Sequence, residues 1–215
     1  MTESRAPAWV AELGARGPVV LASRNRGKLA ELQALGRGVL DLRLAPDDAP
    51  EVEENGSTYL ENALAKAQAI ARFTGAPALA DDSGLEVEAL GGAPGVRSAR
   101  YGGPGLDDAG RCRLLLEALS GSEIASSSRR ARFVCVLVLA DGDGWLSAEG
   151  FLEGEITREP RGARGFGYDP VFAVASHGGR TLAEIDEAEK NRLSHRAAAM
   201  HALLAKLRPS DRTAT

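Results

Sequence analysis

The run "ARFVCVLVLA" at 131–140 limits the fold more than any other stretch of the chain. Its centre is apolar at consecutive positions, whereas a strand with one wet face would alternate. It therefore reads as a strand buried on both faces, as in sheets covered by helices on either side. Helical patterns supply that cover. Leu29, Leu32 and Leu35 are spaced as one helix face, closed by Gly36 and Gly38. A longer helix is predicted over 58–73, with Leu60, Ala63, Leu64, Ala67, Ile70 and Ala71 on one face. Thr58 and Glu61 have the spacing of a capping box there, and Gly75 with Pro77 ends it. Asp107 and Asp108 begin a third helix carrying Leu114, Leu115, Leu116 and Leu119, and a final one carries Leu193, Met200, Leu203, Leu204 and Leu207.

Other strands are predicted at 18–23 ("PVVLAS"), in "VLDLRLAP" and at 171–174, with one or two in "WLSAEGFLEGEIT", where Trp145 and Phe151 are expected to pack on the sheet. The segment 78–105 mixes short apolar pieces with glycine turns and reads as loop-rich. The expectation is an α/β chain with a mixed, partly elongated sheet. No repeat or linker divides it, so a single domain over 18–208 is expected, after a loosely packed extension (1–17) and before a short tail (209–215).

At 215 residues the chain buries enough surface to need no staples. A formal net charge of −4 argues against a general nucleic-acid binder, although a local basic pocket for a small anion remains open. Cys112 and Cys135 are unclustered, with Cys135 inside an apolar run, and read as reduced, buried small hydrophobes rather than a disulfide or zinc framework. The first residues lack the apolar core of a secretory signal, and no window approaches the ~20 apolar residues of a membrane span. A cytoplasmic protein without membrane contact is expected.

Five stretches carry polar residues in patterns that chemistry uses. "LASRNRGKLAEL" (21–32) nearly spells a P-loop, but Ala22 replaces the first glycine and Leu29 the magnesium-binding hydroxyl. A strand-to-helix turn still aims backbone N–H groups and a positive dipole at an anion, with Ser23, Asn25 and Lys28 beside them. An ordinary capped turn with solvated Arg24 and Arg26 fits equally. "ADDSG" (80–84) sets two acids at an expected strand end, where a carboxylate can ligate Mg²⁺ or orient water, or where the residues simply make a turn. Glu53 and Glu54 are either metal-associated carboxylates or a solvated charge run. On the following helix, Glu61, Asn62 and Lys66 form a polar edge expected to face solvent. "GFGYDP" (165–170) suits a loop that lays a ring on a flat ligand, or a glycine turn into a strand. "EKNRLSHR" (189–196) gathers Lys190, His195 and Arg196 at the entry to the last helix, where Ser194 could be the N-cap.

Taken in order, these stretches make the chain similar to the inosine/xanthosine triphosphate pyrophosphatase family, which hydrolyses non-standard purine nucleoside triphosphates. Matching segments include "EENGSTYLENALAKA", "ALADDSGLEVEALGGAPGVRSARY" and "EGEITREPRGARGFGYDPVF", and run from Val20 to about Leu207. The resemblance implies an elongated mixed sheet flanked by helices, two lobes with a nucleotide cleft between them, and a homodimer.

It also implies roles. Ser23, Arg24, Asn25, Arg26, Gly27 and Lys28 would cradle the triphosphate of a small-molecule substrate, with Lys28 stabilising charge during catalysis. Asp82 would accept a proton and bind Mg²⁺, and Ser83 would touch substrate. Glu53 would be the other metal carboxylate, with Glu54 as the alternative. Phe166, Gly167, Tyr168 and Asp169 would line the base pocket, Lys190 would contact substrate, and His195 and Arg196 would reach the base. The implied reaction converts ITP, dITP or XTP to the monophosphate and pyrophosphate, cleansing the nucleotide pool. Two other readings remain: a related pyrophosphatase with different base preference, and a nucleotide sensor without turnover.

Overall fold

The computed structural model describes residues 10, 13, 17–121, 128–142 and 144–207. Most of the extension and all of the tail named above lie outside these residues. The strands are β1 (Val19–Leu21), β2 (Leu42–Leu44), β3 (Ala78–Val87), β4 (Pro94–Gly95), β5 (Arg130–Asp141), β6 (Gly144–Ile156), β7 (Phe172–Val174) and β8 (Arg180–Thr181). The helices are α1 (Arg26–Leu35), α2 (Tyr59–Thr74), α3 (Asp108–Ala118), α4 (Glu187–Leu193) and α5 (His195–Leu207). Among the described residues the strands form one mixed sheet in the order β2-β1-β3-β5-β6-β7-β8, with β4 against β3. β1 pairs parallel with β2 and β3, while β6–β7 and β7–β8 are antiparallel. The apolar run is β5, in the middle of the order and buried from Phe133 to Ala140. This is the mixed α/β sheet expected.

Two compact units divide the chain. The first draws on Met1–Asp82, Cys135–Gly150 and Arg196–Thr215, the second on Ser83–Val134 and Phe151–His195. The first has a core of Leu21, Leu32, Leu79, Leu137, Leu139, Met200 and Leu203. Val10 and Leu13, from the segment expected to be loosely packed, are buried in it. The second packs Leu85, Cys112, Leu115, Phe133, Ile156, Tyr168 and Phe172 together. Both cysteines are free and buried.

Helix starts follow local chemistry. Thr58 and Glu61 make the reciprocal capping box of α2, and Asp107 caps α3 through Gly110 N. Such caps contribute about 1 kcal/mol each.

Three expectations change. "ADDSG" makes neither a turn nor a strand end: β3 continues through it for ten residues. Pairing outweighs the turn preference, because β3 has β1 along its start and β4 at Leu85 and Glu86. Trp145 and Phe151 are 36% and 41% exposed instead of covering the sheet. The Arg132 guanidinium lies 4.9 Å over the Phe151 ring, a contact an aromatic residue makes while remaining wet. Finally, Leu193 ends α4, and α5 begins after a break at Ser194, whose extended backbone (φ −66°, ψ 151°) cannot continue a helix.

Candidate active site

In the first unit the site is built on Asp81 and Asp82. Successive residues of a strand point to opposite faces, so these neighbours meet different partners. Asp81 is 4% exposed and receives Lys28 Nζ of α1 at 2.8 Å and Arg196 Nε of α5 at 3.6 Å. Glu31 holds the far side of the same guanidinium, with Arg196 Nη1 donating to its Oε2 at 2.6 Å. Burial alone would raise the Asp81 carboxyl, but Lys28 and Arg196 outweigh it and hold it well below the ordinary carboxylate range.

Asp82 is 7% exposed and faces α2, where Asn62 Nδ2 donates to its Oδ2 at 2.9 Å and Lys66 Nζ lies 3.7 Å from Oδ1. Its carboxyl is driven upward, chiefly by burial and further by the charges of Glu54 and Asp81, against Lys66 and the Asn62 hydrogen bond. Lys66 also donates to Glu54. Burial would discharge this ammonium, yet Asp81, Asp82 and Glu54 together keep its proton affinity above the ordinary value. Adjacent carboxylates are thus divided between one locked as an anion and one with raised affinity for a proton.

Asn62 and Lys66 were expected in solvent. Asn62 is 2% exposed and also accepts from Gly56 N, and the Lys66 side chain is 15% exposed. Both meet Asp82 of β3, and in sequence they read only as a polar i, i+4 pair on a helix. Glu61 does remain outside, where it caps the helix.

The strand-to-helix turn is capped, as one of its two readings required. Asn25 Oδ1 accepts from Lys28 N at 3.0 Å, and Ser23 Oγ accepts from Asn25 N at 3.1 Å. Arg24 is exposed and at the same time engaged with the following loop: it donates to Glu51 and to the carbonyls of Asp47 and Ala49. Arg26 and Gly27 are exposed. A pocket of about 330 Å³ opens here, lined by Ser23, Arg24, Glu51, Val52, Lys66 and Ile70 among others.

Among the described residues no three His, Cys, Asp or Glu side chains gather as a ready-made metal site. Asp82 and Glu54 share Lys66, however, and two carboxylates are what a Mg²⁺ ion that completes its shell with phosphates and water requires. The donor set fits. Glu53, the carboxylate aligned first, is exposed and accepts from Asn55, so Glu54 is the acid that the fold brings to Asp82.

In the second unit, "GFGYDP" forms a tight loop. Asp169 Oδ2 accepts from Phe166 N at 2.8 Å and from Lys190 Nζ of α4. Lys190 Nζ stands 4.4 Å over the Phe166 ring, which is 64% exposed. Tyr168 is buried, its hydroxyl donating to Ser98 O at 2.9 Å, so it supports the loop from the core. His195 stacks on Phe133 with centroids 4.9 Å apart. Ser83 is half-buried in β3.

The first unit thus sets a buried cluster of carboxylates, two ammonium groups and a guanidinium beside a capped strand-to-helix turn of a mixed α/β sheet. The match with known proteins identifies the family. The model of the Ham1 family matches residues 19–206, and the chain belongs to that family. It is 50% identical over 191 residues to the dITP/XTP pyrophosphatase of Coxiella burnetii, covering 86% of this chain and 94% of that protein. It is 49% identical over 194 residues to the dITP/XTP pyrophosphatase of Thioalkalivibrio sulfidiphilus, covering 88% and 97%. The solved structure of a HAM1 protein from Coxiella burnetii superposes with a TM-score of 0.81 at 49% identity, over 88% of this chain and 98% of that one.

Proposed function

We propose that the protein hydrolyses dITP, XTP and ITP between the α- and β-phosphates, releasing the nucleoside monophosphate and pyrophosphate, and so keeps deaminated purines out of nucleic acids. The observation that carries the reading is the buried cluster around Asp82, in which Asn62 Nδ2 donates to it at 2.9 Å and Lys66 Nζ, shared with Glu54, lies 3.7 Å away. Asp82 is positioned to take the proton of the attacking water. Lys66 and Lys28 offset the charge that develops on the phosphates. Asp81 is committed to orienting Lys28 and Arg196.

Asp82 and Glu54 would hold Mg²⁺, which supplies charge neutralisation at the phosphates and lowers the pKa of bound water. Ser23 through Lys28 are assigned to the triphosphate. The purine is assigned to Phe166 and Lys190, with His195 and Arg196 contributing to recognition. A 6-oxo purine presents an acceptor where adenine presents an amino donor, so a donor in the base pocket reserved for that acceptor would be left unpaired against ATP. No described helix is long and apolar enough to cross a membrane. A cytoplasmic homodimer completes the reading.

The test is phosphate analysis with dITP, XTP, ITP, ATP and GTP, with Mg²⁺ and with EDTA. Magnesium-dependent pyrophosphate from dITP, XTP and ITP, with little from ATP and GTP, is expected. Orthophosphate release would place the cleavage at a different bond, and tight binding without turnover would make the protein a sensor.

A further inference from the structure

In the second unit, both backbone polar groups of Gly167, which belong to the successive peptides on either side of its Cα, are held by one face of α3. Its N–H donates to Asp108 Oδ2 at 2.7 Å, and its carbonyl accepts from Cys112 Sγ at 3.3 Å. Asp108 and Cys112 are i, i+4 neighbours on that helix, so a single rigid element makes both contacts. Cys112 is buried, and burial, with the nearby Asp108 and Asp169 charges, pushes its thiol up to about 11. It therefore stays protonated near neutrality and can donate.

The rest of the loop is anchored as well. Phe166 N donates to Asp169 and Tyr168 Oη to Ser98 O. Phe166 itself is the exception. Its backbone is fixed while its ring, with the Lys190 ammonium 4.4 Å from its centroid, is left 64% exposed. An apolar ring held out on an immobilised backbone is an arrangement for contact with something flat. Gly167 has a φ of +61°, and with no side chain it would turn freely if its two peptides were released. The bonds from α3 therefore set which way the neighbouring ring faces.

We infer that Asp108 and Cys112 are positioning residues for purine recognition, fixing the two peptides that flank Gly167 so that the Phe166 ring is presented in one orientation. This rests on the function proposed above. Stacking on a purine is the same before and during phosphate cleavage. Losing its alignment therefore weakens substrate and transition state equally, which raises KM and spares kcat.

The experiment measures pyrophosphate release from dITP and XTP by the full chain and by Asp108→Ala, Asp108→Asn, Cys112→Ala and Cys112→Ser. Equilibrium binding of IMP and a thermal melt accompany each variant. Asp108→Ala and Cys112→Ala are expected to raise KM about tenfold, and to weaken IMP by the same factor, with kcat within about twofold. Asp108→Asn keeps an acceptor for the amide and Cys112→Ser a donor for the carbonyl, so both are expected near the wild-type KM. If Asp108→Ala does not fold, the Cys112 pair carries the test.

An unmoved KM in the alanine variants would overturn the inference, as would a fall in kcat at unchanged KM. So would Asp108→Asn as impaired as Asp108→Ala. If the wild-type chain releases no pyrophosphate from either substrate, the proposed function fails instead.

Discussion

Asp81 and Asp82 are consecutive residues of β3, yet their carboxyls are displaced in opposite directions: Asp81 held down by Lys28 and Arg196, Asp82 raised by burial. The alternation of a strand suffices to separate them. One side meets cations from α1 and α5, the other an amide and an ammonium from α2 that is shared with Glu54.

Asp82→Asn keeps the shape of the side chain and an acceptor for Asn62, but cannot take a proton. Its kcat on dITP is expected to fall by roughly 10²–10⁴-fold with nucleotide binding retained, the range for loss of a positioned base. Single-turnover kinetics alongside equilibrium binding decide the point. A variant with wild-type turnover would remove Asp82 from the proton-transfer role.

The two loop glutamates can be told apart by metal titration. Glu54→Gln is expected to raise the Mg²⁺ concentration for half-maximal activity by about tenfold or more, on the scale seen when metal-site partners are lost. Glu53→Gln should leave it unchanged, because Glu53 is exposed and bonded to Asn55. Direct Mn²⁺ binding should rank the variants the same way, and the reverse ranking would assign the metal to Glu53.

Gly165 adopts a φ of +77°, and a Cβ placed there would lie 2.0 Å from Asp169 Oδ2. Gly165→Ala therefore combines backbone strain with a clash in the turn that presents Phe166. It is expected to cost about 1–3 kcal/mol, to lower the melting temperature by several degrees, and to raise KM for XTP. Calorimetry and initial rates test both, and a neutral substitution would mean that the loop can relax around a methyl group.

Glu61 gives a pH signature. Hydrogen bonds from the Ser57 hydroxyl and amide, then from Thr58, lower its carboxyl below the ordinary 4.5. The stabilisation is present above that ordinary value and is lost as the pH falls through the lower folded-state one. The gap in melting temperature between wild type and Glu61→Ala should be full at neutral pH and shrink below about pH 4. A gap independent of pH would mean that ionisation contributes nothing to the cap.

What could be read along the chain was whatever adjacent residues enforce. The apolar run at 131–140 needs no partner to declare itself buried, and β5 covers it from Arg130 to Asp141. The capping box of Thr58 and Glu61 and the Asp107 cap involve residues three apart, so their geometry is set within one turn. The site was legible as a set of segments by their order and composition, but the partners within it were not. Asn62 and Lys66 look like any polar pair on a helix, and only the packing of α2 against β3 takes them out of water and gives them to Asp82. "ADDSG" favours a turn locally, yet β1 and β4 pair with the strand on either side of it and carry it straight. Trp145 and Phe151 were expected inward on hydrophobicity alone, although the side of a strand that faces water depends on its neighbours. Which of Glu53 and Glu54 meets Lys66 depends on the path of a loop held by Arg24 at one end and by Asn62 at the other. Those contacts join residues more than twenty positions apart on the Arg24 side, beyond the reach of any local preference.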